Sequence, residues 1–219
     1  MFTKKTALIL TSCLVIAGIA LVACGDGSGG TPTEEAVART TCKPDQPPVF
    51  GTPVNVPTDK LEFQSTERGY TVLYPAGWEA KANHSAIANI SADAFLGPVA
   101  SNSVRVNMSV TCETIPVGTT SREFTDAKME VLRRAFGGSP SQGEQLTVDG
   151  KDAYLIKFAM GSEDTPAPGS TEEPLNAETV QVMFADARGG WTISLLAPEG
   201  QLAPYRAFFD ELVASFHEM

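Results

Sequence analysis

Histidine is scarce: His84 and His217 are the two in 219 residues, and with Cys13, Cys24, Cys42 and Cys112 they lack the short spacings of zinc ligands. No serine sits in a Gly-x-Ser-x-Gly context, so the strand-to-helix nucleophile elbow has no support. His84 adjoins Ser85, but a triad needs a base that reaches the nucleophile and an acid that orients the base, which adjacency does not supply. His84 therefore reads as an exposed loop residue, and His217, two residues from the terminus, as part of a fraying end. Basic charge is short as well, with 16 Lys and Arg against 26 Asp and Glu. A surface of net charge −10 repels phosphate backbones and argues against nucleic-acid binding. No internal repeat is present.

The long apolar run lies at the start. Lys4 and Lys5 precede an apolar segment from Ala7 to Ala23, the layout of a secretory signal. At about 17 residues it is at the lower limit for a spanning helix. It ends in Leu21-Val22-Ala23-Cys24-Gly25, which resembles the lipobox of bacterial lipoproteins. That resemblance implies cleavage after residue 23 and lipidation of the Cys24 thiol, with acyl chains (palmitate is the expected label) as the membrane anchor. The alternative is an uncleaved N-terminal helix; in both cases the rest of the chain lies outside the cytoplasm. Loss of residues 1–23 removes two lysines and no acid, leaving 14 basic and 26 acidic residues and a net charge of −12. No polybasic segment follows Cys24, so acyl chains rather than electrostatics supply the affinity.

Cys42 and Cys112 remain in the mature chain, an even pair in an oxidising compartment, and a disulfide between them is expected. Unpaired thiols are the alternative, because the bond requires Cα atoms within about 7 Å. Residues 24–58 carry the lipidated Cys and a Gly-, Pro- and Thr-rich stretch with few large apolar residues, which reads as a flexible tether. Its reach is on the order of 30 Å.

From residue 59 to 219 the pattern is that of one domain. Leu61–Gln64 and Tyr70–Tyr74 form a hairpin about Glu67-Arg68-Gly69, closed by Pro75-Ala76-Gly77-Trp78. Val104, Val106, Met108 and Val110 alternate with Arg105, Asn107 and Ser109, a strand with one buried face, and Cys112 continues the inward parity. Phe124 to Phe136 carries a helical stripe, with Thr120 or Ser121 placed to cap it and Gly137-Gly138 to end it. Leu146–Val148 and Lys151–Phe158 flank a turn at Asp149-Gly150, and Val180–Phe184 and Trp191–Leu196 flank Arg188-Gly189-Gly190. Tyr205 to Phe216 is a second amphipathic helix. Successive hairpins and two helices predict an α+β fold, a central, largely antiparallel β-sheet flanked by helices.

The stretches Gly69–Trp78 and Val148–Tyr154, with the aromatic close Trp191–Leu196 and Phe208–Phe216, resemble the PsbP/Mog1 superfamily over roughly residues 60–217. The resemblance implies an α/β/α sandwich. It implies little about activity, because members serve as an extrinsic photosystem subunit, as partners of a small GTPase and as envelope lipoproteins. The metal-associated residues of the photosystem subunit have no counterparts here, so a photosystem accessory role is the weaker reading.

The acidic, Pro-rich segment 162–174 reads as a solvated insertion, with a weak Ca²⁺ site or a docking loop as the functional alternative; no EF-hand spacing is present. Trp78 and Trp191 are expected to complete the core rather than line a groove. Asn83, Asn89 and Asn107 head Asn-x-Ser triplets of little weight in a bacterial lipoprotein. The expectation is a non-enzymatic binding or accessory module, without metal or cofactor, held at the cell membrane and facing the periplasm or exterior, with another envelope protein as partner. An enzyme whose site is assembled from distant residues, and a ligand-free spacer or assembly factor, are the alternatives.

Overall fold

In a computed structural model of the chain, residues 37–51, 57–87, 90–99, 105–136, 140–160 and 176–219 are described. Cys24 and the acidic segment 162–174 lie outside the described residues. The element order is β1 (Lys60–Ser65), β2 (Tyr70–Pro75), β3 (Glu79–Ile87), β4 (Ile90–Val99), β5 (Arg105–Glu113), α1 (Ser121–Phe136), β6 (Ser141–Val148), β7 (Lys151–Met160), β8 (Ala177–Ala185), β9 (Gly190–Pro198), α2 (Arg206–Ser215) and β10 (His217–Glu218). A 3₁₀ turn at Ala203–Tyr205 leads into α2.

Seven strands form an antiparallel sheet in the order β3-β4-β5-β9-β8-β7-β6. The opening hairpin does not join it; β1 and β2 make a separate sheet with β10, in the order β1-β2-β10. One face of the large sheet carries Val106, Met108, Val110, Val180, Val182, Ile193 and Leu195, packed in one core with Tyr70 and Val72 of β2 and Phe209, Leu212 and Phe216 at the C-terminal end. On the opposite face α1 sets Phe124, Met129 and Leu132 against Ile156 and Met183. The architecture is therefore α+β, with helix α1 on one side of the sheet and α2 together with the small sheet on the other.

Local chemistry explains the element ends. Thr120 and Glu123 form a reciprocal capping box, Thr120 N donating to Glu123 Oε2 (2.9 Å) and Glu123 N to Thr120 Oγ1 (3.2 Å). Asp149 and Gly150 have φ of +48° and +77°, the pair of left-handed residues that a tight two-residue hairpin needs.

Three expectations are corrected. β3 and β4 stand where no strand was expected, and His84 is not on a loop: it lies on β3, half-buried, with Ala92 of β4 as its Cα partner. The cause is that β3 is polar and bulged at Lys81/His84, whereas β4 is buried on both faces, so neither alternates cleanly. Strand β5 does not have one wet face, because Asn107, Ser109 and Thr111 are buried along with Val106, Met108 and Val110; β5 is an inner strand between β4 and β9. The terminus does not fray at His217: His217 and Glu218 pair with Thr71 and Tyr70, and Met219 N donates to Gly69 O at 2.8 Å.

Trp191 is fully buried and forms aromatic contacts with Tyr70, Phe184 and Phe216. Trp78 packs edge-on to Tyr205 and Phe208 above Gly97, where a side chain would meet its indole at 2.7 Å. Both tryptophans complete the core.

Candidate functional site

Two groupings stand out: a charged junction at one end of the domain and a polar patch on the sheet. The junction begins with the disulfide. Cys42 and Cys112 are bonded, with Cα atoms 5.7 Å apart. Cys112 ends the inward register of β5, and Cys42 reaches it at the strand end, where Gly189 leaves room for both sulfurs. The chain around Cys42 is laid along the domain. Thr40 N donates to Ile115 O and Val117 N to Ala38 O, each at 2.9 Å, and Cys42 N donates to Arg188 O at 2.8 Å. Ile115 N in turn donates to Thr40 Oγ1 at 2.9 Å. Residues 38–42, within the stretch read as tether, are thus hydrogen-bonded to the segment after β5 and to the β8–β9 turn.

The β8–β9 turn is held by Asp186, whose Oδ1 accepts from Arg188 N (2.8 Å) and Gly189 N (3.0 Å) and whose Oδ2 accepts from the Trp191 indole (3.1 Å). The turn aims Arg188 at the β1–β2 turn, where Nη1 donates to Arg68 O at 3.1 Å and Gly69 O at 3.3 Å. Nη2 lies 2.8 Å from Glu218 Oε1, an ion-pair contact rather than an aligned hydrogen bond. Lys151 Nζ pairs with Glu218 Oε2 at 2.7 Å. Asp149 then captures the C-terminal strand, with His217 Nδ1 at 2.9 Å from Oδ1 and Glu218 N donating to Oδ2 at 3.0 Å. His217 is a docking residue here, while its ring stays largely exposed.

These contacts push neighbouring carboxyls in opposite directions. Burial, and then the hydrogen bond to Asp186, hold the Glu218 carboxyl above its usual range against the opposing pull of Lys151 and Arg188. Burial would also raise Asp186, but the hydrogen bond from Glu218 and the backbone N–H groups of Gly189 and Arg188 outweigh it and hold Asp186 low. For Asp149, burial is likewise outweighed by the Glu218 N–H, His217 and Lys151, and its pKa is lowered. A raised Glu218 contributes stability below its unfolded value near 4.5 that fades as pH rises through its folded pKa. The two lowered aspartates contribute stability above their unfolded value near 3.8, lost as pH falls through their folded values. Glu218→Gln keeps a donor to Asp186 and removes the first titration. Thermal denaturation should show wild type losing stability relative to the variant as pH rises from 4 to 7; a constant difference would contradict a raised Glu218 carboxyl.

The second grouping lies on the sheet face that also carries α1. Asn107, Ser109 and Thr111 of β5, Thr192 of β9, and Thr179 and Gln181 of β8 are all buried, and Ser194 beside them is half-buried. The register aligns them: Ser109 is opposite Ser194 and Ser194 opposite Gln181, while Thr111 is opposite Thr192. Thr179 donates to Leu195 O at 2.9 Å and Asn107 to Arg105 O at 3.1 Å. The side chains of Ser109, Thr192, Ser194 and Gln181 make no hydrogen bond among the described residues. Towards the sheet edge His84 adds a buried Nε2 that also lacks a partner. Hydroxyl and amide groups both donate and accept without net charge, so this face can hydrogen-bond a neutral polar group. Sequence reasoning missed it because alternation alone assigned Asn107 and Ser109 to solvent.

Among the described residues no group of three or more His, Cys, Asp or Glu is placed to hold a metal ion. Asn107 is buried, and Asn83 is engaged by Arg68 at 2.9 Å, so neither of these triplets presents a free asparagine.

Two helices about a central antiparallel sheet, with an accessory hairpin, make this a three-layer α+β domain. The chain is similar to the solution structure of cyanobacterial PsbP (CyanoP) from Synechocystis sp. PCC 6803, with a TM-score of 0.50 and 18% identity over 78% of this chain and 99% of that one. At that identity the likeness speaks for the fold alone. No protein-family model and no curated protein sequence matches the chain.

Proposed function

We propose that this chain is a lipid-anchored, extracytoplasmic accessory protein whose PsbP-like domain binds another component of the cell envelope without catalysing a reaction. The observation that carries the reading is the Cys42–Cys112 disulfide, a bond that persists in oxidising compartments, in a chain whose first residues have the order of an export signal ending at Cys24. The acyl chains on Cys24 hold the protein on the membrane, facing the periplasm or the exterior. Cys24→Ala should abolish metabolic labelling by palmitate and leave the precursor with its leader attached. Unchanged labelling would refute the anchor. Crosslinking in intact cells followed by affinity capture should return one dominant envelope protein, whereas recovery of none at any stringency would favour a ligand-free spacer.

A further inference from the structure

Strand β10 is two residues long, His217 and Glu218, too short to hold itself on a sheet. Side-chain charge holds it. Asp149 grips it with both oxygens, Oδ1 at 2.9 Å from His217 Nδ1 and Oδ2 accepting from Glu218 N at 3.0 Å. One ammonium, Lys151 Nζ, serves three carboxylates: Glu218 at 2.7 Å, Asp149 at 3.3 Å and Asp186 at 4.0 Å. Arg188 Nη2 adds a second cation, 2.8 Å from Glu218. Even so, Glu218 Oε1 is buried without a hydrogen bond of its own, so the ionised carboxylate is incompletely compensated. We propose that β10 is a pH-sensitive latch on the edge of β2, closed in mildly acidic solution and loosened as the pH rises through neutrality.

The direction follows from the charges. With all three acids ionised and His217 neutral, Asp149, Asp186 and Glu218 outnumber Lys151 and Arg188. A proton on His217 restores the balance and makes its contact with Asp149 an ion pair; histidine is the side chain whose charge changes between pH 5 and 8. A proton on Glu218 relieves the same excess. Burial, and then Asp186, favour that proton, so the stability it brings is present below 4.5 and fades as pH rises through the folded value. Both titrations therefore loosen β10 in the same direction. Asp149 and Asp186, held below their usual range, keep their grip until strongly acidic pH. The other charged or titratable groups on the elements packed around β10 are engaged away from it. On the β1–β2 turn Arg68 binds Asp93 and Asn83, and Glu67 accepts from Asn83. The Tyr70 phenol donates to Asp93, and on α2 Arg206 pairs with Asp210 and Glu211 with Lys60.

Phe216 sets the hinge. It is 2% exposed, stacked on Tyr70 at 5.2 Å and edge-on to Trp191 at 5.4 Å, so it stays in the core. Opening frees residues 217–219 alone, a local event far smaller than unfolding. It uncovers the Tyr70–Thr71 edge of β2 and the Gly69 carbonyl that Met219 N occupies.

The test is the backbone ¹H–¹⁵N heteronuclear NOE of Glu218 and Met219 in the folded protein, with Val72 and Leu212 as references, at about pH 5 and about pH 8. At the lower pH the two residues should read like the references. At the higher pH they should lose about half of that value or more, while the references hold. The loss should track the titration of the His217 ring and the Glu218 carboxyl, followed in the same sample by their side-chain resonances. In His217→Gln/Glu218→Gln, which removes both titrations, the NOE should be equal at the two pH values. An unchanged NOE in the wild type, or a loss of wild-type size in the double variant, would overturn the latch. Should that variant not fold, the wild type alone decides, because a loss that tracks neither titration overturns it equally.

Discussion

Replacing Asp93 by Ala should destabilise the domain by about 3–5 kcal/mol, the range for removing one partner of a buried ion pair. Asp93 is fully buried on β4, within the face that is otherwise the main apolar core. Its carboxylate accepts from Ser65 Oγ and Tyr70 Oη, each at 2.7 Å, and from Arg68 Nη1 and Asn83 N, each at 3.0 Å. These donors come from β1, the β1–β2 turn, β2 and β3, so one side chain ties the small sheet to the edge of the large one. The alanine leaves Arg68 buried without its carboxylate and takes the shared acceptor from a Tyr70 hydroxyl that burial, and then the Asp93 charge, already hold well above the usual pKa of a phenol. Asp93→Asn keeps an acceptor and loses the charge, and should fall between the two. Equilibrium urea denaturation measures both. A loss below about 1 kcal/mol for the alanine would mean that the pair fixes geometry without contributing stability.

Opening the disulfide should have a comparable effect. The linked residues are 70 apart, and in the loop-entropy description a bridge over that span contributes about 4 kcal/mol. Cys42→Ser/Cys112→Ser, or reduction of wild type, should lower the urea midpoint accordingly. It should also steepen the dependence on denaturant, because the unfolded chain is then free to expand. An unchanged midpoint would place the stabilisation elsewhere.

The parts of this fold that follow strict periodicity were legible in the sequence. The alternation at Val106, Met108 and Val110, the three- and four-residue spacing of α1, the turn at Asp149-Gly150 and the stripe of α2 all mark elements that the structure contains. The pairing of Cys42 with Cys112 was legible too, because they are the two cysteines left once Cys13 and Cys24 are assigned to the signal and the lipid. What escaped were elements whose neighbours override local pattern. β4 carries Ala92, Asp93, Ala94, Phe95 and Leu96 in succession, all buried, so no alternation marks it, and Gly97 and Pro98 read as a turn. The two-residue strand β10 has no sequence signal of its own. It exists because Asp149 and Gly69, both distant along the chain, accept the backbone N–H groups of Glu218 and Met219. The polar sheet face was hidden for the opposite reason: its residues obey the alternation rule, but the side assigned to water is covered.

The proposed lipid at Cys24 is the premise on which the proposed envelope role rests. Its most direct test is the mass of the N-terminal peptide of the protein isolated from membranes of the native cell. The account predicts a peptide that begins at Cys24, lacks residues 1–23 and carries acyl chains on its sulfur. A peptide that retains the leader, with an unmodified Cys24 thiol, in protein recovered from the cytosol would contradict it.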